Sequence, residues 1–407
     1  VKYRDIADII IVGGGASGMA AAVQAKRENG KLRVILLEKL DRVGKKLLVT
    51  GNGRCNLGNC GDRNGRYNTG GAIPVLERFG DSGEFFESMG LLVRRDEEDR
   101  LYPRSNSAAS VLDALRFELE RLGAEIITAA PVQSISPGDG GFDVQSGAGV
   151  FRGKRVIAAA GGRAAPKFGT EGDGCALAKN LGIPVTRESP ALVAVRTGDA
   201  ALKALKGQRV TALARGIYED GGEKVRLGEV QFGDGTLSGI CVFDLAQPGL
   251  REVRLDLLPD MEFDEVQALI GKLKDIRGAQ SLENLLTGVV PKRVGMQIIK
   301  QKLDLPLSTA SGELQDWQLA AIAGGLKNWR FSAAGTLGWD SAQTTAGGVP
   351  LSEVTENLES RMVPGLYFAG EVLDVNGDCG GYNLDWAWAS GRCAGAGAAK
   401  SLEEQNA

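Results

Sequence analysis

The chain has 407 residues, of which 43% are hydrophobic and 24% charged, and it contains no histidine. A chain of this length can bury a large core without disulfides or metals, and it predicts roughly two to three domains. The formal net charge of −3 argues against binding to nucleic acid by overall charge, although a local basic patch is compatible with it. The lack of imidazole leaves proton transfer to Cys, Tyr, Lys, carboxylates or water.

The cysteines and the first apolar stretch both indicate a cytoplasmic protein. The six cysteines are scattered, without a C-x-x-C pair or zinc-finger spacing, so we interpret them as reduced thiols and predict no metal site. The apolar stretch at 9–25 contains four glycines, which disfavour both a signal peptide and a membrane helix. No other stretch is long and apolar enough to span a bilayer, so we expect no membrane association.

Residues 6–39 predict a βαβ unit, with a strand at 9–12, a glycine turn, a helix over about 16–29 and a strand at 32–37. Short apolar strands alternating with a helix are typical of a parallel sheet buried on both faces. The segment 41–70 has neither helical nor strand periodicity and predicts a long functional loop. Beyond it we predict a helix over 108–122 and strands at 125–127, 132–135, 141–144 and 155–160.

The pattern changes at about residue 190. Short strands separated by turns indicate an antiparallel sheet or barrel; they are predicted at 191–196, 209–218, 224–231, 239–245 and 253–257. Residues 264–303 have helical periodicity. The last seventy or so residues return to the α/β style of the beginning, with a strand, a glycine-rich turn and a helix over 384–400, so the middle of the chain is interpreted as inserted.

The turn after the first strand carries the spacing Gly13-x-Gly15-x-x-Gly18, and Glu38 lies twenty residues beyond it. Gly13 makes the turn, Gly15 admits a pyrophosphate, and Gly18 lets the helix pack on the strand. The helix N-terminus offers free N–H groups, and Glu38 can accept hydrogen bonds from the ribose of an adenosine. This pattern predicts dinucleotide binding, and the acidic residue favours FAD or NAD over NADP.

A second motif near the other end of the chain favours FAD over NAD. It is the strand end Phe-Ala-Gly-Glu at 368–371, followed by Gly-Gly-Tyr-Asn at 380–383 before the last helix. In two-segment flavoproteins such an acidic residue binds the ribityl chain, and the helix N-terminus points at the N1–C2=O edge of the flavin. Because no second Gly-x-Gly-x-x-Gly follows a strand, we expect NAD(P)H and substrate to take turns at one flavin, which gives ping-pong kinetics.

Four segments together resemble the BaiN/YhiN-like family of FAD-dependent oxidoreductases, and the resemblance covers nearly the whole chain. They are Val12 to Ser17, Thr50 to Asn56, Ala342 to Val349, and Gly370 to Asp374 with Gly380 to Leu384. The segment 232–239 matches a family turn but lacks the nearby histidine and proline that many members carry.

The resemblance implies an α/β fold, a Rossmann-type FAD-binding domain interrupted by a β-barrel-like domain and a small helical domain. We place the FAD domain at 1–188 and 336–407, the barrel-like domain at 189–258 and about 320–335, and the helical domain at 259–319. The family includes flavoenzymes that reduce carbon–carbon double bonds, either in bile-acid-type enones or in uridines of 23S ribosomal RNA.

FAD, held tightly and non-covalently, is therefore the predicted cofactor, with NAD(P)H as transient reductant. Its predicted binding residues are Gly13, Gly15, Ala16, Ser17, Gly18, Glu38, Lys39, Lys45, Asn52, Gly53, Arg54, Asn56, Val132, Ala160, Gly161, Gly348, Gly370, Glu371, Gly381, Tyr382, Asn383 and Leu384. The loop 42–66 contains six basic residues against one acidic residue, so its members are also candidate phosphate contacts if RNA is the substrate.

Two side chains are candidate proton donors. Cys55 stands beside Arg54, where positive surroundings are expected to lower the pKa of its thiol, although it is equally well explained as a small residue packed on the cofactor. Tyr382 is the second candidate, with simple stacking as the alternative.

The predicted function is reduction of an activated C=C bond by NAD(P)H through FAD. The acceptor is either a small enone or a uridine in ribosomal RNA. The alternative is a non-catalytic FAD-binding redox sensor or a flavin oxidase. The sequence leaves the oligomeric state open.

Overall fold

The computed structural model describes residues 3–199 and 202–404. The chain divides into two compact units, one formed by residues 1–189 with 343–407 and the other by residues 190–342. Both ends of the chain therefore belong to the same unit. The predicted separation of a third, helical domain at 259–319 stays a prediction.

Strands and helices are numbered along the whole chain. The strands are β1 (Asp5–Val12), β2 (Val34–Leu37), β3 (Gly58–Asn59), β4 (Val93–Arg95), β5 (Arg100–Pro103), β6 (Glu125–Ile127), β7 (Val132–Gly138), β8 (Gly141–Ser146), β9 (Gly149–Ala158), β10 (Ser189–Ala191), β11 (Val195–Thr197), β12 (Arg209–Tyr218), β13 (Glu223–Phe232), β14 (Thr236–Ser238), β15 (Leu250–Asp256), β16 (Trp329–Thr336), β17 (Thr344–Ala346) and β18 (Leu366–Phe368). The α-helices are α1 (Ala16–Glu28), α2 (Ile73–Phe79), α3 (Ser82–Glu87), α4 (Ala108–Leu122), α5 (Asp173–Asn180), α6 (Leu202–Leu205), α7 (Ile240–Leu245), α8 (Phe263–Ile276), α9 (Lys292–Lys302), α10 (Asp316–Lys327) and α11 (Tyr382–Glu404).

The central sheet of the first unit has the order β6-β2-β1-β9, continued by the β8–β7 hairpin, with β18 also pairing with β9. The pairs β1–β2, β1–β9, β2–β6 and β9–β18 are parallel. The middle strands are apolar and buried, as parallel strands covered on both faces must be. This arrangement confirms the predicted Rossmann-type α/β fold, and it places the carboxyl ends of β1, β2 and β18 at one edge of the sheet.

The second unit contains a closed antiparallel barrel with the strand order β11-β14-β13-β12-β15-β16. Phe232, Trp329 and Phe331 are buried, and neighbouring ring centroids lie 4.9–6.3 Å apart. Helices α8, α9 and α10 belong to the same unit, which confirms the predicted helical periodicity of 264–303.

One predicted strand of the barrel, at 239–245, is wrong. The strand ends at Ser238, and the apolar residues after it form α7. Gly239 has φ +110°, and a Cβ at this position would lie 2.1 Å from the carbonyl oxygen of Glu229. The chain therefore turns sharply at a position that only glycine can occupy, and this turn ends the pairing of β14 before the apolar residues of α7 begin.

The last helix packs on the first with little between their backbones. A Cβ at Gly391 would lie 2.3 Å from the carbonyl oxygen of Ser17, and one at Gly395 would lie 2.3 Å from that of Ala21. Helix α11 begins two residues before the predicted start and continues to Glu404. The glycines of α11 thus let it cross α1 at close range.

Across residues 3–199 and 202–404, the helices are all too short or too polar to cross a membrane.

Candidate functional site

The turn between β1 and α1 is tightly packed on one side and open on the other. Gly13 has φ +108°, and a Cβ there would lie 2.4 Å from the carbonyl oxygen of Ala159, while one at Gly18 would lie 1.9 Å from that of Gly13. A Cβ at Gly15, by contrast, would meet no atom within 4 Å. Gly15 is the N-cap of α1 and provides no side chain to its free N–H groups, so this helix end is open to an anion.

Glu38 lies at the carboxyl end of β2 beside this turn. Glu38 is 9% exposed, and its carboxylate accepts hydrogen bonds from the N–H groups of Gly14 and Leu40, each at 2.8 Å. The N–H of Ala130 donates to the backbone carbonyl of Glu38 at 2.9 Å, and Val132 begins β7 two residues further on. Glu38 is therefore fixed at the sheet edge by the backbone on both sides of it.

Two lysines of the predicted set differ in their surroundings. The ammonium of Lys39 binds Asp173 at 2.6 Å and Glu171 at 2.9 Å, so it is committed to carboxylates of the same unit. Lys45 is half-buried and follows Gly44, whose N–H donates to the carbonyl of Gly14 at 2.8 Å. Of these two lysines, Lys45 lies next to the glycine turn and has no recorded contact with a carboxylate.

The short 3-10 helix Gly370–Val372, which follows β18, contacts the first βαβ unit. A Cβ at Gly370 would lie 2.4 Å from Oγ of Ser17, on α1. The Glu371 carboxylate accepts the N–H of Thr345 at 2.6 Å and pairs with Lys46 at 2.9 Å. Segments more than 300 residues apart therefore converge on one region.

The start of α11 faces Asn56. Gly381 has φ +106°, and a Cβ there would lie 2.5 Å from the carbonyl oxygen of Gly58 and 2.6 Å from Oδ1 of Asn56. Asn56 is 9% exposed, and its Oδ1 is buried without a hydrogen-bond partner in the protein. Because an unpaired buried acceptor is costly, this atom indicates a ligand donor at the start of α11.

The remaining residues near α11 hold the turn together. The side chain of Asn383 donates to the carbonyl of Gly377 at 2.8 Å and accepts its N–H at 2.9 Å. Tyr382 is buried, its Oη donates to the carbonyl of Asp62 at 3.3 Å, and Arg66 lies over its ring. Leu384 is half-buried against the apolar core.

Asn52, Gly53 and Arg54 form an exposed loop with unusual backbone. Gly51, Asn52 and Gly53 have φ between 55° and 80°, and the Arg54 guanidinium lies 5.0 Å from the centroid of the Tyr102 ring. Cys55, next in the chain, is fully buried.

The pKa expectation for Cys55 is wrong. Burial raises the pKa of its thiol to about 12, and a hydrogen bond with Thr50 offsets this increase only in part. The Arg54 guanidinium lies over the ring of Tyr102 instead, so Arg54 does not stabilise the thiolate of Cys55. A role for Cys55 as proton donor stays a prediction, for a thiol that keeps its proton at neutral pH.

Burial predicts which cysteines react with a thiol reagent. Cys60 is exposed and Cys379 half-buried, whereas Cys55, Cys175, Cys241 and Cys393 are buried. In native protein at pH 8 we expect fast modification of Cys60, slower modification of Cys379, and labelling of the other four only in denaturant. Mass spectrometry after timed alkylation measures this; rapid native labelling of Cys55 would instead place its thiol on an accessible surface.

Sequence reasoning missed two residues that organise the site. Thr345 accepts the N–H groups of Arg163 and Ala164 through Oγ1, close to the predicted Ala160 and Gly161 turn. Asp385, in the first turn of α11, is buried and pairs with Arg63. Thr345 lies in the resemblance segment 342–349, in which Gly348 alone is predicted to bind FAD; a Cβ at Gly348 would lie 2.5 Å from the carbonyl oxygen of Val372.

No group of three or more His, Cys, Asp or Glu side chains in the part of the chain that the structure describes has the arrangement of a metal site.

A parallel sheet with an open helix N-terminus after its first strand and an acidic residue after its second defines a Rossmann-type domain. The chain belongs to the family described as HI0933-like protein Rossmann domain, which matches residues 7–397. It is 38% identical to the 3-dehydro-bile acid delta(4,6)-reductase of Clostridium scindens, over 96% of this chain and 98% of that protein. It is 31% identical to the ribosomal RNA dihydrouridine synthase of Escherichia coli K12, over 94% and 96% of the two chains. These relatives confirm the resemblance found in the motifs.

Proposed function

We propose that this protein is an FAD-dependent oxidoreductase that uses NAD(P)H to reduce the conjugated C=C bond of a small enone. The observation that carries the proposal is that segments far apart in sequence meet within one unit. They bring together the N-termini of α1 and α11 and the side chains of Glu38, Glu371 and Asn56. The similarity to a bile-acid reductase over nearly the full length of both chains supports the reaction class.

The residues present fit FAD. The open space at Gly15 and the free N–H groups of α1 suit the pyrophosphate, and Glu38 suits the adenosine ribose. The unpaired Oδ1 of Asn56 beside Gly381 suits a donor on the flavin ring. When bound, FAD supplies hydride transfer between NAD(P)H and the substrate. Tyr382 and Cys55 are the proposed sources of the proton.

Ion pairing of the basic loop favours a small enone over RNA. Of its six basic residues, Lys46 pairs with Glu371 at 2.9 Å, Arg63 with Asp385 at 2.9 Å and Arg66 with Asp378 at 3.5 Å. In the hairpin formed by β4 and β5, Arg100 pairs with Asp96. A cation that already has a carboxylate partner releases few counterions on meeting a phosphate, so it adds little to RNA affinity.

Salt dependence separates the two substrate classes. Between 50 and 200 mM salt we expect the KM for a steroid-like enone to change less than about twofold, because a neutral ligand displaces few ions, whereas an RNA held by 6–10 phosphates would lose about 10³–10⁵ in affinity. The measurement is anaerobic reoxidation of the reduced flavin by either substrate, followed near 450 nm. Steeply salt-dependent reoxidation by an rRNA fragment, with none by the enone, would overturn the proposed substrate class.

The same anaerobic cell tests the non-catalytic alternative. NAD(P)H is expected to bleach the bound flavin, and the enone to restore its colour in a separate step. A flavin that binds but is never bleached by NADH or NADPH would favour the redox sensor instead.

A further inference from the structure

Asp385 is a buried carboxylate in the first turn of α11 that the proposed reaction does not use. Its side chain is 1% exposed. Oδ2 accepts two N–H groups of Arg63, at 2.9 and 3.3 Å, and Oδ1 accepts the hydroxyl of Ser82 at 2.5 Å. Arg63 also donates to the carbonyl of Gly80 at 2.7 Å, so its position is fixed from two sides.

This carboxylate lies next to the turn that faces Asn56. A Cβ at Gly58 would be 3.0 Å from Oδ1 of Asp385, and the carbonyl of Gly58 is 2.5 Å from the Cβ position of Gly381. The N–H of Asp385 donates to the carbonyl of Gly381 at 2.9 Å. Gly58 therefore lies between the carboxylate and the turn at Gly381. The Oδ1 of Asn56, which has no hydrogen-bond partner in the protein, lies against the same turn, 2.6 Å from the Cβ position of Gly381.

A negative charge in the first turn opposes any negative charge that a ligand brings to the free N–H groups of the same helix, and a paired arginine cancels only part of it. We infer that Asp385, paired with Arg63, is a positioning and charge-setting residue that limits how strongly the N-terminus of α11 favours the reduced, more negative form of a bound flavin. The inference rests on the proposed function.

Among the described residues, the charged and titratable groups around Asp385 are Arg63, Asp81, Tyr67 and, beside Tyr67, Tyr382 and the Arg66–Asp378 pair. Burial raises the pKa of Asp385 to about 6, against the opposing effects of Arg63 and Ser82. Burial also raises the pKa of Tyr67, so the phenol stays neutral. With a pKa of about 6, Asp385 changes charge between pH 5 and 8.

The test compares Asp385→Asn with wild type by the midpoint potential of bound against free FAD, from pH 5 to 8.5. This difference gives the ratio of affinities for reduced and oxidised FAD. At pH 8 we expect Asp385→Asn to raise that ratio about tenfold, or about 30 mV for a two-electron couple. Near pH 5, below the pKa of Asp385, the two proteins are expected to converge.

The control is Glu118→Gln, which removes another buried carboxylate paired with arginines, on α4. It is expected to leave the ratio unchanged at every pH. Ser82→Ala removes the hydroxyl that stabilises ionised Asp385, so the inflection of the ratio should move to higher pH. This variant serves as the second test if Asp385→Asn fails to fold.

A constant difference between Asp385→Asn and wild type across the pH range, or none, would overturn the inference while leaving the proposed function intact. Protein that never binds FAD would overturn both.

Discussion

The variant Gly15→Ala is expected to fold like wild type and to bind FAD roughly a hundredfold more weakly, about 2.8 kcal/mol at 1.4 kcal/mol per tenfold. Its Cβ would meet no protein atom within 4 Å, and φ of −82° suits alanine, so the apoprotein has no reason to lose stability. The methyl group would instead occupy the space above the N-terminus of α1 that a pyrophosphate needs.

Two glycines provide controls for Gly15→Ala. Gly18→Ala would put a Cβ 1.9 Å from the carbonyl oxygen of Gly13, so it should unfold the β1–α1 turn. Gly30→Ala is exposed, with its nearest atom at 3.9 Å, and should change neither folding nor binding. Thermal melting of apoprotein and flavin titration measure the two effects separately. Unchanged FAD affinity in Gly15→Ala would show that α1 does not hold the pyrophosphate.

The second large effect is expected at the crossing of α1 and α11. Gly391→Ala and Gly395→Ala would each place a Cβ 2.3 Å from a backbone oxygen of α1, which a side-chain rotation cannot relieve. The helices must separate, at a cost at or above the upper end of the roughly 1–3 kcal/mol typical of overpacked cores. Because Ser17 and Gly370 touch at this crossing, FAD affinity should fall together with the melting temperature.

Helix α8 offers the matched control. Gly271→Ala would place its Cβ 3.8 Å from the side chain of Leu319, an ordinary contact. Removing a glycine from a helix interior with room for a methyl group is expected to stabilise by about 0.5–1 kcal/mol. Calorimetry should therefore give opposite signs for Gly271→Ala and Gly391→Ala. Equal changes in stability for the two variants would mean that the glycines of α11 are not needed for the close approach of α1 and α11.

Predictions from the sequence succeeded where the signal is local. The apolar run of β1, the glycine turn and Glu38 are contiguous or one helix apart, and strand register then brings Gly14 to Glu38. The helix at 108–122 was predicted at its observed bounds, since its apolar spacing is regular. The strand predicted at 239–245 was wrong because the close approach of Gly239 to the carbonyl oxygen of Glu229 ends the strand, and the local sequence pattern does not show that contact.

The electrostatics of the site could not be predicted in this way. The basic loop at 42–66 has few acidic residues of its own, yet Glu371, Asp378 and Asp385 neutralise half of its cations from the other end of the chain. Cys55 adjoins a cation in sequence, but its backbone turns the thiol into the core and Arg54 toward Tyr102. Charge partners and burial depend on which segments meet, and sequence neighbours do not report that.

By itself the sequence determined the α/β class, the glycine turn between β1 and α1 and the family, because each depends on the short-range spacing of apolar residues and glycines. Only the tertiary structure decided which charges are paired, which thiol is buried, and that Asn56 presents an unpaired acceptor to the start of α11. The physical reason is that solvation and ion pairing depend on the atoms within a few ångströms of a group. Here those atoms belong to segments about 300 residues away in the sequence.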